Sequence, residues 1–579
     1  MQLVRITPFT LLVTVAAQAA TSVPNAGVLG NQLRQQIPTA TPSRSAAPLS
    51  LPTGMPSVNP RDLQGGIHVT LSKVMFEGDI QQAGISLTRL EATVAKKLNT
   101  PLTFGGLQQL ADQVTTLYRE EGLLTARVIL PPQTVKDGVL RLQVIVGRYD
   151  AGKIQNTSAM RTSVAERIVS ATTPQGEVIR LAQLEREALL LSELPGVNAR
   201  MSLMAGTKPG TSTPVVDITP GAHVSGYMGL DNQGDEVTGR SRIMAGLQVN
   251  NPLGLGDSLN VDLMDAWEKN DLFNGSLNYS LPVGGYGTRT GLSYTHLNYH
   301  YSLLKNGFSG YSDNWGLYVT HPWVRSAATR IDVRLDSGQQ YLTDKYPSIL
   351  FGSLGNKGRK QVNLLSPSLI GSVAAVPGGV TGFSLRGTVG DVSYRNDLAR
   401  LISFSDEAGT AGHFARLNWA ANHEQAVWGP FSVYGSLSGQ FTNHNQDSSQ
   451  KLLLGGPTAV RAYDTGDGSV DEGSLFTTEV RSRWDLSLPA LIPTPAMLTV
   501  AAFFDQGWGE QYDSNHSRSG GALTDHNQVN LSGAGLYTTL SEAGNYALTF
   551  TWAHRTGEAD PVSGHDERDR FWVSAVKSF

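Results

Sequence analysis

FTTEVRSRWDLSL, residues 476–488, sorts its side chains onto two faces. Phe476, Thr478, Val480, Trp484, Leu486 and Leu488 fall on one, and Thr477, Glu479, Arg481, Arg483, Asp485 and Ser487 on the other. Successive side chains of an extended strand point in opposite directions, so a period of two separates an apolar face from a charged one. The same alternation recurs at Leu259-Val261-Leu263, Leu277-Tyr279-Leu281, Ile331-Val333-Leu335, Ala415-Leu417-Trp419, Val433-Gly435-Leu437 and Tyr546-Leu548-Phe550-Trp552. Segments of this kind suit a transmembrane barrel, with lipid outside and water within. Lipid supplies no hydrogen-bond partners, so such a sheet must close on itself. A soluble sandwich or propeller fits the charged faces equally well, and the two ends of the chain favour the barrel.

At the N-terminus, Arg5, the apolar run FTLLVTVAA (residues 9–17) and the Ala17-Gln18-Ala19 site read as a signal peptide over residues 1–19. The run is too short to span a bilayer, and no later segment offers the roughly 18 apolar residues of a membrane helix. At the other end, Phe571, Val573, Ala575 and the terminal Phe579 share a face that Lys577 interrupts. The 579 residues contain no cysteine, which excludes disulfides and thiolate metal sites. A net charge of −4 argues against a nucleic-acid partner.

Residues 20–66 are rich in Pro, Ser, Thr and Ala and read as a linker, within which VLGNQLRQQ (residues 28–36) suits two helical turns. Residues 67–147 have the order β-α-α-β-β. Leu107, Leu110, Val114 and Leu117 lie on one helical face, and Asp137-Gly138 signals a tight turn. Residues 148–220 repeat the plan, which makes a tandem pair. Helical periodicity fades in residues 221–579.

Several motifs in order resemble the outer-membrane transporters of two-partner secretion, the TpsB or haemolysin-activator family (ShlB/FhaC/HecB type). YREEG (118–122) and ARVILP (126–131) with Gln133 resemble its first POTRA domain. LER (184–186), LLL (189–191), LPGV (194–197) and PGTS (209–212) resemble the second. NPLGLGD (251–257) resembles the start of the barrel, LGGP (454–457) with VRAY (460–463) and DEG (471–473) its sixth extracellular loop, and FFDQG (503–507) a barrel-wall motif. The resemblance implies two periplasmic α/β POTRA domains, then a closed antiparallel barrel of about 16 strands. Residues 222–579 leave roughly 22 residues for each strand and its turn. It also implies that residues 28–36 belong to a helix plugging the pore. The implied function is export of one secreted partner exoprotein of TpsA type, held by its N-terminal secretion domain, from a barrel surrounded by outer-membrane lipid. A barrel-assembly factor of the BamA or TamA kind is the alternative; more than two POTRA modules and no plug would mark it. An outer-membrane lipase or protease is a third reading.

The candidate site is the loop tetrad Val460, Arg461, Ala462 and Tyr463 with Phe503, Asp505 and Gly507 on the wall. Thr499, Ala501, Phe503 and Asp505 share a face, and the opposite, wholly apolar face suits lipid, so Asp505 turns to the lumen. Charge alone leaves a solvated arginine and a turn-capping aspartate open. With the resemblance, a bidentate Arg461–Asp505 pair is expected to pin the loop tip inside. Many relatives carry Gly where this chain has Ala462, so a restricted backbone is expected there. Glu479, Arg481 and Arg483 are expected to line the lumen, with mutual pairing an equal alternative. Strand edges containing Ala126, Val128 and Leu130, Val139, Leu142 and Val144, and Met201–Met204 are candidate docks for an extended partner. Asp464, Asp467 and Asp471 lack the spacing of a calcium loop and read as solvated carboxylates. HExxH, Walker and G-x-S-x-G patterns are absent, so no catalytic residue, metal or cofactor is assigned.

Overall fold

From Val224 onward the chain is a single sheet wrapped into a tube. Sixteen antiparallel strands follow one another in sequence order, from Val224–Asp231 to Asp569–Ser578, and the last pairs with the first. The structure is a computed structural model that describes residues 24–36, 49–50, 68–268, 272–303, 306–347, 355–403, 405–488, 492–557 and 567–579. The expected signal peptide and most of the 20–66 linker lie outside these residues. No helix among the described residues is long and apolar enough to cross a membrane.

The two-residue alternation reads directly onto the wall. On the strand Glu472–Leu488, Val480 and Trp484 are 55% and 50% exposed on the outside, whereas Glu479 is 5% exposed within. On Ile492–Glu510, Ala501, Phe503 and Asp505 are buried inward, as their parity requires. Tyr286, Trp323 and Trp428 stand exposed beside the turns of one rim, where amphipathic rings favour a membrane interface. Closure is the weakest join. First and last strands match over five residue pairs, Tyr227 with Ser578 through Asp231 with Ser574, against eight between the first and second strands. Beyond the pairs, the Asn232 side chain imitates a strand. Its Nδ2 donates to the Phe571 carbonyl (2.8 Å) and its Oδ1 accepts from Val573 N (2.7 Å).

Two α/β modules precede the barrel. In the first, Val139–Ile145 is the central strand, parallel to Lys73–Gly78 and antiparallel to Arg127–Ile129. The helices Leu87–Ala95 and Phe104–Glu120 are capped by Ser86 and Thr103, whose hydroxyls accept from Arg89 N and Gly106 N. Leu110, Val114 and Tyr118 pack on Leu140 and Leu142. Asp137 and Gly138 both have positive φ (55° and 72°), the geometry of a two-residue turn. The second module repeats the layout. Thr211–Pro220 is central, parallel to Lys153–Asn156 and antiparallel to Val197–Ala205, with helices Thr162–Thr172 and Leu181–Ser192. It abuts the barrel turns: Arg186 Nη2 donates to the Pro322 carbonyl (2.7 Å), and Arg325 pairs with Glu193 (3.2 Å).

This topology sorts the expected docks: Arg127–Ile129, within the Ala126–Leu130 segment, is an edge strand of the three-stranded sheet, whereas Val139–Ile145 is central. Val139, Leu142 and Val144 lie on the central strand, paired with Lys73–Gly78 along one edge and with Arg127–Ile129 over Gln143–Ile145 on the other. Ala126, Val128, Leu142 and Val144 are core side chains, each at most 2% exposed. Leu130 is half-buried against that core. In the second module the edge at Met201 and Ser202 is already taken, because Leu49 and Ser50 of the chain's own linker pair with it in parallel.

Candidate functional site

Two internal elements fill the lumen. The first is the helix Ala26–Gln36, three turns where the sequence suggested two. Asn25 starts it, its Oδ1 accepting from Gly27 N (2.9 Å) and Val28 N (3.0 Å). Asp344 on the wall accepts from Ala26 N (2.8 Å), a carboxylate at the positive end of the helix. Ala26 and Leu29 are fully buried among wall residues that include Leu297, Tyr299 and Val362. Near its C-terminal end the helix holds the inward loop: Asn31 Nδ2 (2.6 Å) and Gln35 Nε2 (3.1 Å) both donate to the Lys451 carbonyl, and Arg34 donates to the Ser449 carbonyl (2.9 Å).

The second element is that loop, between the strands Phe431–Thr442 and Glu472–Leu488. The buried pair Lys360–Asp447 (2.9 Å) ties its first half to the wall. A short hairpin, Leu452–Leu453 with Ser469–Val470, carries the tetrad to the wall. Arg461 Nε and Nη2 each donate to an oxygen of Asp505, both at 2.8 Å, and Arg461 N reaches Asp505 Oδ2 at 3.2 Å. Thr477 Oγ1 also donates to Asp505 (2.9 Å), and the guanidinium lies 3.5 Å from the centre of the Phe503 ring. A buried arginine is tolerable because each of its faces meets a partner.

The pairing continues along the wall. Arg461 Nη2 contacts Glu479 (2.9 Å), Glu479 contacts Arg481 (2.7 Å), and Glu424 accepts from both Arg481 (2.8 Å) and Arg483 (2.5 Å). Tyr537 donates its hydroxyl to Glu479 (3.0 Å). Glu479, Arg481 and Arg483 thus face the lumen, Glu479 pairing with Arg481 and Arg483 joining through Glu424, leaving a ladder of alternating charge instead of a one-sign field.

Glycines let the loop come this close. A Cβ on Gly507 would lie 3.1 Å from Val460, and one on Gly533 would lie 2.4 Å from the Ala462 methyl. Ala462 therefore occupies a recess opposite Gly533. It is absent from the residues with positive φ, so the restricted backbone expected at this position does not arise. Val460 and Tyr463 are fully buried with Leu454, Val470 and Leu531.

Three carboxylates overturn their expected solvation. Asp464, Asp467 and Asp471 are all buried. Asp464 pairs with Arg570 of the last strand (2.8 Å), Asp467 accepts from Asp464 N (3.0 Å), and Asp471 pairs with Lys451 (2.7 Å). Trp572 was not foreseen either; its Nε1 donates to the Arg461 carbonyl (2.8 Å). Both it and Arg570 lie on the last strand, more than 100 residues from the tip in sequence, and local sequence carries no mark of the contact. Between helix, loop and wall remains a cavity of about 590 Å³, bordered by residues that include Arg34, Gln35, Gln340, Arg416, Gln440 and Pro457.

A closed barrel with α/β modules at one rim, filled by its own helix and loop, defines a β-barrel transporter of the outer membrane. Residues 210–341 match the family of haemolysin secretion/activation proteins ShlB/FhaC/HecB, and residues 69–147 match the ShlB-type POTRA domain. The heme/hemopexin transporter protein HuxB of Haemophilus influenzae (strain 86-028NP) is 32% identical over 482 residues, covering 83% of this chain and 82% of that protein. The outer membrane transporter CdiB of Dickeya dadantii is 24% identical over 454 residues, covering 75% and 76%. The solved structure of CdiB from Escherichia coli shares the fold, with a TM-score of 0.67 at 19% identity and full coverage of both chains. The chain belongs to the ShlB/FhaC/HecB family, the TpsB transporters. It is an outer-membrane translocator of two-partner secretion, with its POTRA region in the periplasm.

Proposed function

We propose that the periplasmic modules capture the unfolded N-terminal secretion domain of one TpsA-type exoprotein, and that this partner then crosses the barrel as an extended chain. Residues 148–220 act as a second POTRA domain in this reading. Their support is the strand order shared with the first module, central last strand included. A cleaved signal peptide over residues 1–19 delivers the chain to the periplasm, and outer-membrane lipid surrounds the apolar wall. Catalysis has no part in the reading. HuxB, named as a heme/hemopexin transporter, makes a haem- or haemopexin-associated exoprotein the cargo to try first.

The observation that carries the mechanism is that the lumen is filled by an internal helix and an inward loop instead of by the wall, and that the helix is the more lightly held of the two. The helix Ala26–Gln36 is continuous with the linker whose Leu49 and Ser50 occupy the second module's edge. A partner strand adding at that edge displaces the linker, and the displaced linker draws on the helix. Capture and opening are then one event. Co-expression with the partner tests this. Deleting residues 68–219 should abolish secretion, and undiminished secretion would sink the capture step. Because the chain has no cysteine, Gly30→Cys and Leu297→Cys can be bridged by a short bifunctional thiol reagent, which should stop export.

A further inference from the structure

The outer wall carries a recess that the transport mechanism does not use. It runs along the closing seam as a trough of about 530 Å³, within the roughly 300–1,000 Å³ typical of small-molecule sites. The strand register explains it. One row across the seam places Ala575 between Leu548 and Leu230, and the next row places Lys577 between Tyr546 and Met228. All of these belong to its lining. A methyl between two leucines leaves a floor with raised sides. One step further along the last strand, the row carries Val573 beside Phe550, and the trough ends.

Lys577 stands at the opposite end of the trough, two residues from the C-terminus and beside the Gly544–Asn545 turn. That is the rim at which the second module meets the barrel turns. Its side chain is exposed and donates to Asn545 Oδ1. A cation in an outward row of lipid-facing side chains is costly unless it reaches the interface or meets an anion. Asn545 is neutral and takes one of three ammonium hydrogens. An apolar channel leading from a cation at the interface toward the bilayer centre matches one molecule type: an acyl chain attached to a phosphate. The module-side rim faces the inner leaflet, which narrows the source to a glycerophospholipid.

We propose that the seam binds one anionic glycerophospholipid, with one acyl chain lying over Ala575 and its phosphate on Lys577. The strand register gives this join five residue pairs, and the lipid lies over the middle of them, at Met228–Leu230 and Ala575–Lys577. The proposal is independent of how the partner is captured.

Native mass spectrometry of the full chain in detergent, titrated with phosphatidylglycerol, tests it. One tightly held lipid per chain is expected. Ala575→Val raises the floor with the residue already present at position 573 and should weaken that binding at least ten-fold. Lys577→Gln should weaken it about ten-fold, down to the level of a diacylglycerol with the same tails. Inorganic phosphate should not compete, because a headgroup alone lacks the trough. Heat-modifiable migration on unheated gels verifies that each variant keeps its barrel, and Leu277→Val on a distant outer strand serves as the control. Equal binding by wild type and Ala575→Val, or equal binding of phosphatidylglycerol and diacylglycerol, would overturn the assignment. So would competition by inorganic phosphate.

Discussion

The loop and the helix fill the same lumen but are held by different forces. The loop tip has a bidentate ion pair to Asp505, a second carboxylate at Glu479, an aromatic face at Phe503 and fully buried Val460 and Tyr463. The helix has one carboxylate at its N-terminus and two fully buried apolar side chains, and holds the loop by bonds from Asn31, Arg34 and Gln35 to backbone carbonyls, with no ion pair to the loop among the described residues. Charged, desolvated pairs are expensive to break, whereas amide-to-carbonyl bonds exchange readily with water. The difference separates a part built into the wall from a part built to leave.

Arg461→Ala attacks the stronger side and should have the largest effect. It strands Asp505 and Glu479 without their cation, at about 3–5 kcal/mol. The midpoint of barrel unfolding should fall and secretion should fail. Arg461→Lys should recover little, since an ammonium cannot make the paired bonds of a guanidinium. An unfolding midpoint equal to wild type in Arg461→Ala would remove the contrast between loop and helix altogether.

Gly533→Ala is next. Its new methyl meets Ala462 at 2.4 Å, overpacking that costs about 2 kcal/mol. Adding Ala462→Gly to the same chain should restore stability, while equal midpoints for the single and double variants would show that the tip is seated elsewhere.

On the helix side, the expected effects are smaller and depend on pH. Asp235, in the loop after the first strand, hydrogen-bonds Gln32 of the helix, and burial pushes its carboxyl up to about 6. A carboxyl of raised pKa holds its proton in the packed state over a range where a resolvated one, at about 4, has lost it. The hold on the helix is therefore full below about pH 4, declines between about 4 and 6, and is constant above. The decline is worth about 1–2 kcal/mol after allowance for partial solvation. Planar-bilayer recordings should show more channel openings at pH 7 than at pH 5, and Asp235→Asn should flatten that difference. The smallest change is Asn31→Ala with Gln35→Ala, about 1 kcal/mol for each lost bond. It should raise the opening frequency and leave the unfolding midpoint where it was; a lowered midpoint would mean that the helix, too, belongs to the wall.

Much of this was legible because it depends on period and parity. The alternation of residues 476–488 placed Glu479, Arg481 and Arg483 inside, and the same argument turned Asp505 toward the lumen. The repeated β-α-α-β-β order was equally plain. What stayed hidden depends on which strand lies beside which. Val139–Ile145 reads as an ordinary strand, and nothing local says that it is central. Leu49 and Ser50 are two residues in a proline-rich stretch, yet they complete a sheet at Met201 and Ser202. Asp464 and Asp471 look like loop carboxylates because their cations, Arg570 and Lys451, come from a distant segment and from the loop's own far side.

The contacts of Arg570 and Trp572 with the loop tip bear on how the chain is made. Asp464 and the Arg461 carbonyl find partners on the sixteenth strand, the one that also pairs back to the first. A chain cut short before position 570 has fifteen strands and a tip with neither partner. Seating of the tip is thus tied to the presence of the sixteenth strand, and a barrel lacking it should hold its inward loop loosely.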